Sequence, residues 1–393
     1  MIRSEQLRLI CIGHYHGLLR LLIEDGEKEM FNTIVIVGVG LIGGSLGLAI
    51  RHKYPESRIT GVSSYPAIKS ALEMGAITEG CGYEELTEAV QNADLVFLCT
   101  PINRIQGLIT LLASSLKTNV LVTDVGSTKR AITKHAAEIL PEGIHFIGGH
   151  PMTGSEKRGV HAADPFLFQN AIYVLCPDDR VSENVIHSFS AFLQGIGATV
   201  VIMDAELHDN IAAAVSHLPQ IIAVTLVEMV GELNSDQAPY LRLAAGGFRD
   251  MTRIASSPFS MWDDIFRTND DIVKTVIDMF VEHIIKIKER VGTQTLGEDF
   301  EVANMTRAII PKDSKGFMKA LFEVLVVVED RPGVIALIAG ELARHNINIK
   351  DIEVLKVREG EGGTLRLAFE RDEEAQQVIE ILSHIGYTAR MRR

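Results

Sequence analysis

The stretch VIVGVGLIGGSLG places Gly38, Gly40 and Gly43 at GxGxxG spacing, with a β-branched run before them and an apolar helical pattern after them. Gly38 permits the sharp turn out of a strand, Gly40 leaves room for backbone to approach a pyrophosphate, and Gly43 lets helix and strand sit close. The helix that follows opens with N–H groups that have no intrahelical partner and so face an anion favourably. The pattern predicts a dinucleotide site; a glycine-rich packing turn is the alternative. Residues 31–50 carry no charge and are long enough to span a bilayer, but five of them are glycine, which the phosphate loop explains.

From Phe31 onward, short β-rich runs alternate with helical stretches, ending in further strands at HFIGGH, AIYVLCP and TVVIMD. Such alternation implies a parallel sheet covered on both faces, a Rossmann-type α/β domain over residues 31–203. From residue 204 to 298 the pattern is helical throughout, and its long apolar helices predict an all-helical domain that forms a dimer core. Residues 299–320 lose periodicity and read as a linker. Residues 321–393 run strand, helix, strand, strand, helix, strand, which is a ferredoxin-like α+β module. The leader, residues 1–30, lacks a small-residue cleavage site and reads as a dispensable extension rather than a signal peptide.

At 393 residues the chain suits two or three domains. Its formal net charge of −13, with lysine and arginine scattered, gives nucleic acid no electrostatic footprint. The four cysteines are widely spaced with no metal-ligand pattern, so no metal is expected and a reducing cytoplasm fits. Nothing calls for a membrane partner.

Hydride removal from a carbon bearing a hydroxyl requires a base for the hydroxyl proton, and imidazole has the appropriate pKa. His150, in GGHPMTGSEKRGV, is expected just past a strand on a glycine-bounded loop that permits close approach. His217, in SHLPQ, is either a satisfied core residue or a second group lining the same cleft. His14, His16, His208 and the remaining histidines read as surface or packing residues. Ser127, in TDVGSTK, either caps the helix beginning near Thr128 or bonds a substrate hydroxyl. Arg249 and Arg253 are four residues apart, hence on one helical face, and precede the lone tryptophan, Trp262. That setting suggests a pocket where guanidinium grips carboxylate, so that the substrate is an organic acid. Ser63 occupies the position at the end of the second strand where an acidic residue usually holds the ribose of NAD; no arginine for a 2′-phosphate follows, and NAD is preferred to NADP.

These motifs, in this order, resemble the prephenate dehydrogenase family of tyrosine biosynthesis, and EDRPGVIALIAGELARHNINIKDIEV resembles an ACT domain, a module that binds amino acids. The resemblance implies a cytoplasmic homodimer that oxidatively decarboxylates prephenate to 4-hydroxyphenylpyruvate while reducing NAD. It implies His150 and Ser127 as catalytic groups and Arg253, Arg249 and His217 as substrate contacts. Cofactor contacts are implied for Gly38, Gly40, Leu41, Ile42, Gly43, Ser63, Thr100 and Pro101. In the ACT module it implies Asp330, Pro332, Gly333, Val334 and Asn348 as the site of an effector, with tyrosine the natural feedback inhibitor. Arogenate dehydrogenase is the nearest alternative, and a catalytically silent NAD and amino-acid sensor is a second.

Overall fold

The structure is a computed structural model and describes residues 31–154, 157–309, 321–358 and 362–392; the leader expected at residues 1–30 lies outside them. The first domain runs β1 (Thr33–Val37), α1 (Leu41–Lys53), β2 (Arg58–Val62), α2 (Tyr65–Glu73), β3 (Glu79–Cys81), α3 (Leu86–Ala89), β4 (Leu95–Leu98), α4 (Ile102–Leu112), β5 (Leu121–Asp124), α5 (Arg130–Ile139), β6 (His145–Pro151), β7 (Ile172–Pro177), α6 (Glu183–Gly195) and β8 (Thr199–Ile202). Strand order is β3-β2-β1-β4-β5-β6-β7-β8, with the order of winding across the sheet reversing between the parallel neighbours β1 and β4. In open sheets of this kind ligands bind beyond the carboxyl ends of the strands at that reversal. Successive residues of β1 feed opposite cores: Ile34 and Ile36 join the cluster holding Phe97 and Phe189, and Val35 and Val37 join the one holding Ile105 and Phe146.

The sheet is parallel as expected except at one junction. β6 and β7 pair antiparallel because no long crossover helix intervenes between them, and β7 and β8 are parallel again across α6. The antiparallel partner also lengthens β6. It pairs with β5 only over His145–Ile147, whereas its pairing with β7 continues through Gly148, Gly149, His150 and Pro151. His150 therefore sits inside a strand, beyond the end of β5, and not on the irregular loop expected from its glycine and proline neighbours. The glycines answer to packing: a Cβ on Gly149 would lie 2.5 Å from the Asp124 carbonyl oxygen.

The helical part comprises α7 (Ala205–Ala212), a π-helical turn over Ala213–His217, α8 (Leu218–Leu233), α9 (Gly246–Thr252), α10 (Asp263–Thr268), α11 (Asp270–Arg290) and α12 (Leu296–Ile309). Asp204 caps α7, its carboxylate accepting from Leu207 N at 2.7 Å. The wide turn has a cause in the sequence: Pro219 has no N–H for the ladder and its ring crowds the carbonyl four residues earlier, and Leu218 N bonds Ala213 O instead. The run Ala205–Leu233 is long and apolar enough to cross a membrane. Much of its apolar surface, including Val215, Val224, Val227, Met229 and Leu233, is exposed in the single chain, as are Met279, Val281, Ile284 and Ile285 on α11. The expected linker is helical over its first part, since α12 reaches Ile309. This helix buries none of its residues, which is why it showed no apolar stripe in the sequence.

The last module is β9 (Phe322–Val328), α13 (Val334–Arg344), β10 (Asp351–Arg358), β11 (Gly362–Phe369), α14 (Asp372–His384) and β12 (Ala389–Met391), in sheet order β10-β11-β9-β12 with antiparallel neighbours throughout. Val324, Val326, Leu365 and Leu367 pack against Ile338, Leu342, Val378 and Leu382 of the two helices. On β11, the buried Arg366 guanidinium bonds Glu353 at 2.8 Å, Glu323 at 2.9 Å and Asp351 at 2.7 Å, joining the three longer strands through one cation.

α1 crosses the chain near Ala76 so closely that a Cβ on Gly47 would stand 2.1 Å from that residue's carbonyl oxygen, whereas Gly107 in α4 has open space around it. Gly47→Ala is expected to lower unfolding stability by about 1–3 kcal/mol, and Gly107→Ala to leave it unchanged or raise it by up to about 1 kcal/mol. Urea unfolding of the two variants checks this, and equal midpoints would contradict the packing.

Candidate active site

The glycine loop is built as its spacing demands. Gly38 has φ of 95°, and a Cβ there would lie 2.6 Å from the Cys99 carbonyl oxygen; one on Gly43 would lie 2.3 Å from the Gly38 carbonyl oxygen. Both positions are closed to any side chain. Gly40, which caps α1, has nothing within 4 Å of the Cβ position, and among the described residues no side chain bonds the first N–H groups of the helix, where Leu41 and Ile42 stand. Thr100, at the end of β4 and just before Pro101, is buried with its hydroxyl unpartnered, and Ser63 is buried at the end of β2. Open backbone donors, a vacant glycine face and an orphan hydroxyl around one strand reversal fit a dinucleotide.

His150 is half-buried, and its Nδ1 lies 2.8 Å from Nε2 of His208. His208 Nδ1 in turn lies 2.8 Å from Oδ1 of Asp209. The reading of His208 as a surface or packing residue is therefore overturned, since it is buried and bonded to the candidate base. Sequence reasoning missed it because its partner is 58 positions away and its setting, AELHDN, resembles an ordinary polar helix start. The signal available was the adjacent carboxylate on the first helix after the sheet.

Asp209 is wholly buried and also joins the two domains. Its carboxylate accepts from Lys129 N at 2.7 Å and Arg130 N at 2.9 Å, satisfying the free N-terminus of α5 from a different domain. Its carbonyl accepts from the Asn269 amide at 3.0 Å, Thr128 meets Thr268 at 2.8 Å, and Arg130 pairs with Asp271. Ser127 is thus not the cap of α5. It lies half-buried three residues past the end of β5, on the same side of the sheet as the cofactor loop. Beneath it, Lys129 and Asp124 form a fully buried ion pair whose carboxylate also accepts from Gly126 N at 2.8 Å and Gly149 N at 3.2 Å.

His217 ends the π-turn, 2% exposed, with Nδ1 buried and unpartnered. Trp262 stands edge-on to it at 6.2 Å between ring centroids, its indole Nε1 also buried and unpartnered. Two buried polar atoms without a partner, on neighbouring rings, are a departure from the usual satisfaction of interior polar groups and make this a candidate contact for a polar ligand. Burial lowers the His217 pKa to about 4, with the nearby Asp209 opposing and His208 adding to the shift. His150 is held well below its ordinary value, first by burial and then by His208, Lys129 and His217. Both rings are neutral near pH 7.

The arginines depart from expectation. Arg249 lies on α9, but that helix ends at Thr252 and Arg253 opens a 3₁₀ turn, so the pair does not share one continuous α-helical face. Both are exposed in the single chain, among exposed Tyr240, Leu241, Leu243, Met251 and Phe259. In the C-terminal module Gly333 has φ of 91° and precedes α13; Asp330 and Pro332 are exposed at that end, whereas the side chain of Val334 is in the core and the exposed Asn348 lies beyond the opposite end of α13. Asn348 precedes β10 by three residues and does not open it as expected.

Three family models match the chain: prephenate dehydrogenase, nucleotide-binding domain, over residues 46–202; prephenate dehydrogenase, dimerization domain, over 204–304; and an AHAS small subunit-like ACT domain over 324–390. The prephenate dehydrogenase of Bacillus subtilis (strain 168) is 37% identical over 361 residues, spanning 90% of this chain and 97% of that one. Among solved structures, prephenate dehydrogenase from Aquifex aeolicus in complex with hydroxyphenyl propionate and NAD+ superposes with a TM-score of 0.65 at 30% identity, covering 70% of this chain and 97% of that one. Synechocystis arogenate dehydrogenase superposes with a TM-score of 0.64 at 28% identity, covering 70% and 98%. With its strand reversal, its histidine at the crevice and these matches across both catalytic domains, the chain belongs to the prephenate dehydrogenase family.

Proposed function

We propose that the protein oxidatively decarboxylates prephenate to 4-hydroxyphenylpyruvate, using NAD, as a homodimer in the cytoplasm. The observation that carries this reading is His150, a neutral imidazole at the crevice end of β6, backed by a buried polar chain from the helical domain. Gly38, Gly40, Leu41, Ile42 and Gly43 would hold the NAD pyrophosphate, with Ser63, Thr100 and Pro101 lining the remainder. When bound, NAD supplies the acceptor for the hydride lost from the hydroxyl-bearing ring carbon.

The protein groups handle the proton and the charge. As the ring hydroxyl becomes a carbonyl, its proton passes to the free nitrogen of His150, and Ser127 hydrogen-bonds the same oxygen. The bond from the opposite ring carbon to its carboxylate then breaks, carbon dioxide leaves, and its electron pair makes the ring aromatic while the oxygen is reprotonated. Orientation is the main demand on such a site. Arg253 would grip one carboxylate and Arg249 the pyruvyl group, with His217 at the ring. Because both arginines are exposed amid apolar surface in the single chain, the clamp is completed when the dimer covers that surface.

Mixing the protein with NAD and prephenate should raise absorbance at the reduced-nicotinamide band, with little response to arogenate or NADP; an inert mixture would refute the assignment. His150→Asn should lower kcat by about 10²–10⁴ with binding little changed. Protonation inactivates the base and its pKa is depressed, so kcat/KM should stay flat down through about pH 6.5 and fall only below it; an acidic limb at or above that value would contradict the assignment.

Arg253→Gln should raise the KM for prephenate by about 10–100-fold, matching the roughly 1.5–3 kcal/mol of a charged hydrogen bond, with the KM for NAD unaffected. An unchanged prephenate KM would remove the clamp.

Tyrosine is the effector we assign to the C-terminal module, its carboxylate held by backbone N–H groups between Asp330 and Val334 at an interface between paired modules, where Asn348, beyond the opposite end of α13, would be supplied by the second module. A chain ending at Ile309 should keep turnover and lose inhibition by tyrosine in the same assay. Inhibition that persists would place the effector elsewhere.

A further inference from the structure

We infer that His208 and Asp209 are positioning residues that fix the tautomer of His150, so that its Nε2 is bare and faces the substrate hydroxyl. This rests on the catalytic assignment above. The direction of each hydrogen bond follows from the donor inventory. Asp209 is a buried carboxylate that already accepts two backbone N–H groups at the start of α5, so it has no proton to give and the bond from His208 Nδ1 must be donated by the ring. A neutral His208 that donates through Nδ1 has a lone pair on Nε2. That lone pair, 2.8 Å from His150 Nδ1, accepts the His150 N–H. A neutral His150 that donates through Nδ1 is left with Nε2 as its only acceptor.

Without this chain, an imidazole in water divides between two tautomers, and only one of them carries its lone pair on Nε2. The chain also steadies the product of the transfer. When Nε2 gains the hydroxyl proton, His150 becomes a cation whose charge faces His208 and, behind it, the anionic Asp209. The other cation nearby, Lys129, is paired with Asp124, and His217 is neutral, so Asp209 is the charge left to compensate the imidazolium. Burial of the two supporting members, Asp209 wholly enclosed and His208 3% exposed, keeps water from competing for the bonds behind the half-buried His150.

Two substitutions of similar polarity separate positioning from packing. His208→Gln places an amide oxygen near the former Nε2, where it still accepts from His150. His208→Asn keeps a polar group near Asp209 but cannot reach His150. In full-length enzyme the Asn variant should lose about 10²-fold in kcat, between the usual cost of an outer-shell partner and that of the base itself, with both KM values within about threefold of wild type. The Gln variant should recover kcat to within about tenfold of wild type. If the two variants have equal kcat, or if activity follows only the unfolding midpoint, the positioning role is overturned. Should the Asn variant fail to fold, the Gln variant decides alone: a kcat more than about tenfold below wild type overturns the inference. A wild-type protein inert towards prephenate would instead defeat the underlying catalytic assignment, which the same assay reports separately.

Discussion

The carboxylate of Asp209 is the point on which the rest of the structure turns. A charge with no exposed surface survives only where donors surround it, and here the donors come from two domains. Two are the free N–H groups at the start of α5, on the sheet, and the third is the neighbouring imidazole on α7. Each partner needs the other: α5 lacks a cap of its own, and α7 presents an anion that would otherwise be unpaired. The domain junction is therefore set by hydrogen-bond satisfaction as well as by apolar contact, and the same bonds set the position of His208.

From that junction the geometry of the crevice follows. β7 returns antiparallel beside β6 and carries it past the end of β5, which brings His150 out over the crevice while keeping it in a ladder. Strand residues hold their directions more firmly than loop residues, and a base that must meet one oxygen benefits from that rigidity. The buried pair of Lys129 and Asp124 beneath it ties β5, α5 and the Gly149 amide into one block. His217 reaches the cleft by a different device, a helical turn widened next to Pro219, which places an unpartnered imidazole nitrogen beside an unpartnered indole. Polar atoms left unsatisfied in an otherwise well-bonded interior are costly unless something occupies them.

The parts of this arrangement that were legible in the sequence are those governed by local rules. The GxGxxG loop fixed the positions of Gly38, Gly40 and Gly43 because turn conformation and close approach depend on a few adjacent residues, and the contacts of their missing Cβ atoms agree. The α+β pattern of the last module was readable for the same reason. What was not legible depended on distant partners. His208 acquires its importance from His150 across the domain junction, α5 from a cap 79 positions along the chain, and β6 its length from an antiparallel neighbour. The helix α12 escaped notice because it buries nothing, and amphipathic periodicity records burial rather than helicity.

The exposed arginines follow from the same distinction between what one chain satisfies and what it leaves open. Arg249 and Arg253 lie on a surface with more exposed apolar side chains than a soluble monomer usually presents, in the region matched by a family dimerization domain. A guanidinium at such a surface binds weakly while water surrounds it, and strongly once a second apolar surface excludes that water, because its attraction for a carboxylate rises as the local dielectric falls. If these arginines form the proposed clamp, dimer formation would change its strength without changing the residues that form it. The base, by contrast, is enclosed by its own chain, its orientation settled at the junction between sheet and helices. On the proposed reading, proton transfer and substrate anchoring are organised at different levels of assembly: the first by folding, the second by association.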